Sequence, residues 1–275
     1  MGHFAMSIAK PVTEPMTEPM TEPMTESISL PVDTPTSPAF WRHHLMLPAI
    51  CFLLAVSLIE LFHLDIALGQ WLFRLEGGVD GWPLRNAWLT EKLIHVGGRN
   101  FVILLGVIVL SLLGLSYKKP ALKAYRRGLA FLFMSVLTSV LLVRLGKSLV
   151  HLDCPWHLKI FGGIADYFSL FSGQFDADSP GQCFPAGHSS GGYAWVALYF
   201  FALAYGPRFR WIGLGFGLLL GLTFGIAQQL RGAHFISHDV WTLTISWFSA
   251  LAWYYALFLR RRQALSVSPA LQTAS

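Results

Sequence analysis

Six apolar blocks, each about as long as a bilayer core is thick, constrain this chain more than any other feature. They fall at residues 45–63, 98–116, 128–145, 190–205, 211–230 and 240–259. A helix needs roughly 20 apolar residues to cross the hydrocarbon core. Backbone N–H and C=O groups meet no water there, so a crossing segment must pair them internally, as a helix does. The blocks predict an all-α polytopic membrane protein with six transmembrane helices. Composition agrees with that reading: 54% of the 275 residues are hydrophobic and 13% are charged. A soluble domain carries about a quarter charged residues, so an ordinary water-soluble domain is excluded.

The net charge of +5 raises nucleic acid as a partner, but the basic residues stand at the ends of apolar blocks, where they set topology instead. Lys118, Lys119, Lys123, Arg126 and Arg127 crowd the second connection, Arg208 and Arg210 the fourth, and Arg260, Arg261 and Arg262 the end of the last block. The positive-inside rule puts these segments and both termini in the cytoplasm. The first, third and fifth connections then face outward. The first of these, residues 64–97, mixes Trp71, Trp82 and Trp88 with charges, and is expected to lie along the interface as an amphipathic helix. Residues 1–40 contain a Thr-Glu-Pro-Met repeat over 13–26 and are rich in proline. Such a segment buries too little apolar surface to order itself, and it lacks the apolar stretch of a signal peptide. The expected organisation is a disordered cytoplasmic tail over 1–40, a membrane domain over 41–262 and a short cytoplasmic tail over 263–275.

Ionisable residues beside a membrane core mark function by default, and here they gather on one side. The third block leads into Arg144 and Lys147, followed by His151, Asp153, Cys154, Pro155, His157 and Lys159. The same connection closes with Cys183-Phe184-Pro185-Ala186-Gly187-His188. The fifth block ends at Gln228, Gln229 and Arg231, and His234, His238 and Asp239 precede the body of the sixth. Cations suit a phosphate oxyanion, and two histidines can divide nucleophile and acid duties. A helix opening at Ala186 and Gly187 adds free backbone N–H groups. No group of carboxylates suggests a two-metal site, and no CxxC pair suggests zinc; the expectation is no metal and no cofactor.

These residues resemble the membrane-bound type 2 phosphatidic acid phosphatases, of the superfamily that includes vanadium haloperoxidases. That family's pattern has three parts: Lys-x6-Arg-Pro, Pro-Ser-Gly-His and Ser-Arg-x5-His-x3-Asp. Here they read Lys147-x6-Cys154-Pro155, Pro185-Ala186-Gly187-His188 and Ala227-Gln228-x5-His234-x3-His238. The order and spacing are kept, while two arginines, two serines and an aspartate are replaced. The resemblance implies that His234 attacks phosphorus to form a phosphohistidine and that His188 protonates the leaving oxygen. It gives Lys147 and the backbone N–H groups around Ala186, Gly187 and Ser189 to the phosphate oxygens. Arg231, one helical turn past the vacant arginine position, is available to replace it. Either His238, at the family spacing, or Asp239, one residue further, is available to orient His234.

Cys154 and Cys183 share one outer connection, each directly before a phosphate-site motif, and a disulfide between them would fix the two motifs together. Cys51 reads as ordinary packing inside the first helix. His43, His44 and His63 read as interfacial, Glu60 as a polar packing contact, and Arg99 as a further candidate phosphate ligand. The function implied is hydrolysis of a phosphomonoester or diphosphate on a membrane lipid, at the outer face of the inner (cytoplasmic) membrane, with no nucleic acid involved. The alternatives are a lipid phosphotransferase, a degenerate lipid-binding protein, and a haem carrier using paired histidines.

Overall fold

The computed structural model describes residues 37–172 and 181–260; the Thr-Glu-Pro-Met segment and the 263–275 tail lie outside the described residues. Among the described residues seven helices form: α1 Pro38–Leu61, α2 Leu64–Leu75, α3 Trp88–Leu115, α4 Pro120–Leu149, α5 over residues 187–205, α6 Pro207–Leu230 and α7 Ile236–Leu259. Among the described residues there is no strand beyond one isolated bridge, Leu158 to Ala165.

Five helices (α1, α3, α4, α6 and α7) are long and apolar enough to cross a membrane, where the sequence predicts six. The exception is α5, whose first turns read Gly187-His188-Ser189-Ser190-Gly191-Gly192. The reason is its position. Ser189, Ser190, Gly192, Tyr193, Ala194, Trp195 and Val196 are all buried in the bundle, so α5 packs against protein and needs no lipid-compatible surface. Around it, α1, α3 and α6 expose Leu53, Leu54, Ile103, Leu104, Val107, Ile212 and Leu219. Apolar surface on this scale is at home in hydrocarbon and not in water.

Glycines let α5 and α6 approach closely. Gly213, Gly217, Gly221 and Gly225 recur every fourth residue on α6, which places them along one stripe of the helix. A Cβ at Gly192 of α5 would stand 2.5 Å from the Gly221 nitrogen. Close backbone approach over small residues is the usual basis of helix association in membranes. On the other side of the bundle Ser139 of α4 meets Ser246 of α7 at 2.8 Å, and the Trp253 indole donates to Thr138 at 2.9 Å.

The main core gathers Phe40, Phe131, Leu132, Trp195, Tyr199, Phe200, Leu251 and Tyr254 from α1, α4, α5 and α7. His44 belongs here, not at the interface. It is buried, with Nδ1 2.8 Å from the Phe40 carbonyl and Nε2 2.9 Å from the Tyr199 hydroxyl. Those partners satisfy both ring nitrogens, which is what permits the burial. A second cluster of Phe73, Trp82, Leu158, Phe161 and Phe235 packs the first and third connections over the start of α7.

One boundary differs from expectation. Helix α3 begins at Trp88, ten residues before the predicted block, through a wide helical segment over Trp88–Gly97. Glu91, Lys92 and His95 interrupt the apolar run there, so hydropathy alone misses these turns. The first connection also yields α2, whose buried face of Asp65, Gly69 and Phe73 has the four-residue spacing of an amphipathic helix.

Candidate active site

Three helix ends meet beside the second aromatic cluster. The C-terminal end of α4 brings Gly146 and Lys147 onto the 185–187 turn. A Cβ at Gly146 would lie 2.7 Å from Pro185 Cδ, and one at Gly187 would lie 2.6 Å from Lys147 Cε. Lys147 therefore crosses directly over the Gly187 backbone, a path that any larger residue at 187 blocks. Its ammonium donates to the Gln182 carbonyl at 2.5 Å, which leaves donors for another oxyanion. Beyond Gly187 the first-turn amides of α5 lack intrahelical acceptors. The Ala186 N–H is already engaged, donating to the His238 carbonyl at 3.4 Å.

Between α6 and α7 the chain turns through Gly232, in the left-handed region at φ 66°, with the Trp82 ring packed on its Cα. That conformation suits glycine, and the turn delivers His234 to the interior. His234 is 7% exposed. Its Nδ1 lies 3.3 Å from Nδ1 of His238. The Cys183 carbonyl lies within reach of both imidazoles. Burial foremost, then the charges of Lys147 and His238, holds His234 well below the usual imidazole range. A neutral ring that donates one N–H to a carbonyl presents its other nitrogen as a lone pair.

Cys183 is joined to Cys154 by a disulfide, with Cα atoms 5.2 Å apart. Its N–H also donates to the Leu152 carbonyl at 3.1 Å. The carbonyl that holds both histidines is thus anchored from two sides.

His188, on the first turn of α5, is placed by α3. Its Nε2 lies 3.3 Å from the Ile94 carbonyl, and its ring packs on His95 and Phe224 with centroids 4.6 and 4.7 Å away. His95 lies 3.5 Å from Glu91. Neither Glu91 nor His95 is singled out by the sequence reasoning above, although their four-residue spacing puts them on one helix face. Arg99, exposed at the start of α3's apolar run, acts on His188 only electrostatically.

Arg231 is buried and committed to protein acceptors. It donates through Nε to the Arg85 carbonyl at 2.8 Å and through Nη1 to Gln228 at 3.2 Å, and Nη2 pairs with Glu91. Three of its five N–H groups are therefore occupied. These contacts fasten α6 to α3 and the first connection.

Asp239 is also directed elsewhere than the sequence suggests. Its carboxylate accepts from Gln229 at 2.6 Å, and a Cβ at Gly225 would fall 2.6 Å from its Oδ2. It ties α7 to α6, and His238 is the neighbour of His234. Among the other candidates, Lys159 pairs with Asp166 at 2.8 Å and His157 lies 3.5 Å from Asp153, both in exposed settings.

Residues 128–262 match the model of the PAP2 superfamily. These residues belong to the PAP2 superfamily. Its members are phosphatases, which makes phosphate-ester hydrolysis the activity the match supports. No curated protein and no solved structure matches the chain. The PAP2 match contains Lys147, His188, Arg231, His234, His238 and Asp239, whereas Asp65, Glu91 and His95 precede it. The helices that frame both histidines, α2 and α3, thus come from outside the matched segment.

Proposed function

We propose that the protein hydrolyses a phosphomonoester or diphosphate of a membrane lipid through a phosphohistidine, at the outer face of the inner (cytoplasmic) membrane. The observation that carries this reading is the buried His234, held by the Cys183 carbonyl beside Lys147 and the N-terminal turn of α5. The free nitrogen of His234 attacks phosphorus, an N–P bond forms, and the bond to the leaving oxygen breaks. His188 gives that oxygen a proton. Water then attacks the phosphohistidine, the N–P bond breaks, and His188 takes the proton back. Lys147 and the amides of Gly187 and Ser189 meet the charge on the equatorial oxygens, the main need of a phosphoryl transition state.

The orienting role falls to the Cys183 carbonyl. His238, at the position the resemblance reserves for an aspartate, stands beside His234 with the two Nδ1 atoms 3.3 Å apart. Arg231 contributes positive charge near the His95–His188 pair. The depth of the site in an apolar bundle, beside a cleft lined by Phe184, Phe235, His238 and Trp241, supports a lipid substrate. The basic connections at the opposite ends of the helices support an outward-facing site, by the positive-inside rule. The reading is tested by inorganic phosphate release from a panel of lipid phosphates in mixed micelles with EDTA present. Release from at least one lipid is expected; a phosphorylated lipid product with no free phosphate makes the protein a phosphotransferase, and no turnover makes it a degenerate lipid binder.

A further inference from the structure

Two hydrogen bonds tie the short helix α2 to the turn that carries the histidines. Asp65, on the first turn of α2 and buried, accepts from the Ser237 N–H at 3.0 Å and from the Ser237 hydroxyl at 2.6 Å. Ser237 is the second residue of α7, three after His234 and one before His238. The first N–H groups of a helix have no partners within it and carry the positive end of its dipole. A side chain just before the helix normally supplies the acceptor. Here that residue is Phe235, which offers none. Asp65 supplies it instead from 172 residues away in the chain.

The contact is reinforced one turn along α2. A Cβ at Gly69 would stand 3.1 Å from the Phe161 ring and 3.2 Å from the Phe235 ring. Glycine there lets α2 lie flush on Phe235, the residue next to His234. Phe235, next to His234, and Ser237, next to His238, are therefore both held by α2.

We propose that Asp65 is the positioning residue for His234 and His238, fixing the start of α7 and with it the angle at which His234 meets phosphorus. This rests on the reading of His234 as nucleophile. Asp65 lies outside the PAP2-matched segment, so the device belongs to this chain's own first connection. The ionisable groups that face it are Glu60 at the end of α1, Tyr167 from the third connection and Asp239 of α7. Burial foremost, opposed by the two Ser237 hydrogen bonds, raises the Asp65 carboxyl to about 6. The carboxylate therefore loses its charge just below neutral pH.

The test compares Asp65→Ala, Asp65→Asn and Ser237→Ala in the full chain, reading lipid-phosphate turnover and amide exchange at Ser237. Loss of a cap is worth about 1 kcal/mol, or about 5-fold, and two lost bonds more. Asp65→Ala is expected to lower kcat about 10-fold with KM nearly unchanged, and to speed exchange at Ser237. Asp65→Asn keeps both contacts, its oxygen accepting and its amide donating, and should hold kcat within about 3-fold at pH 7.5. Its activity relative to wild type should rise as the pH falls from 7.5 to 5, because it has no charge to lose. A folded Asp65→Ala protein with wild-type kcat and wild-type exchange overturns the proposal, as does an Asp65→Asn protein impaired as badly as Asp65→Ala. If Asp65→Ala does not fold, Ser237→Ala decides: about 2- to 5-fold lower kcat supports the proposal, and an unchanged kcat defeats it. If the wild-type protein releases no phosphate from any lipid, the catalytic reading fails, while exchange at Ser237 still decides whether Asp65 holds the turn.

Discussion

Arg231 and Gln228 show how a substituted motif is accommodated at the level of single side chains. Gln228 occupies the position where the resemblance calls for arginine, and its carbonyl oxygen accepts from Arg231 one turn on. A cation has thus remained in the region, but its planar fork is matched to Glu91, Gln228 and the Arg85 carbonyl. Removing it leaves Glu91 and a buried carbonyl without their donor, which costs about 1–3 kcal/mol. Arg231→Ala is therefore predicted to lower the melting temperature well below that of Gln228→Ala. Arg231→Lys should recover only part of the loss, since an ammonium cannot make the fork. Thermal melts of the three variants in one detergent check this. Equal melting temperatures for Arg231→Ala and wild type would show that the three contacts hold nothing together. Spacing alone brought Arg231 to notice; its commitment to Glu91 was not legible, because Glu91 lies 140 residues away in a helical segment that hydropathy misses.

Among elements, the connection from α4 to α5 does the most to shape the site, and its disulfide is the part most open to test. Cys154 and Cys183 clamp the two ends of that connection, and the carbonyl of Cys183 holds both histidines. Opening the clamp should loosen that carbonyl as well as the fold. The Cys154→Ser/Cys183→Ser double variant is predicted to lose about 2–4 kcal/mol of stability and to fall in kcat more than in affinity for the lipid. Kinetics with and without reductant on wild-type protein measure the same effect reversibly. A reduced enzyme with unchanged kcat would remove the Cys183 carbonyl from the mechanism. The apolar blocks were legible because lipid-facing helices must be apolar throughout. The origin of α5 at Gly187 was legible from its motif, but its buried, polar first half was not counted against the membrane because hydropathy cannot tell lipid from protein as a neighbour. The four-residue glycine spacing on α6 was present in the sequence and explains that packing; it is the signal that would have placed α5 inside the bundle.

At the scale of the whole molecule, the site is made by packing the PAP2-matched helices against α2 and α3, and its ionisable groups are buried in consequence. Two of them set opposite pH dependences of stability. Asp65 has its folded pKa raised by burial from 3.8 to about 6, so folding is penalised while it is ionised and the penalty fades as pH falls through about 6. His234 has its folded pKa depressed, again by burial first, so the unfolded chain gains its proton earlier and stability is lost as pH falls below the ordinary imidazole value of 6.5. Between pH 7.5 and 5, Asp65→Asn should therefore lose stability relative to wild type and His234→Ala should gain it. Melting temperatures of the three proteins across that range check the signs.

The central claim, that His234 carries the phosphoryl group, is tested most directly by trapping it. Wild-type protein mixed with a radiolabelled lipid phosphate and quenched within a turnover should carry label on the chain. The label should be lost in acid and kept in alkali, as an N–P bond requires, and should map to the segment between Gly232 and Ser237. The His234→Ala protein, with its membrane fold intact, should carry none and release no phosphate. Label of the same stability on folded His234→Ala protein, or undiminished phosphate release from it, would contradict the account.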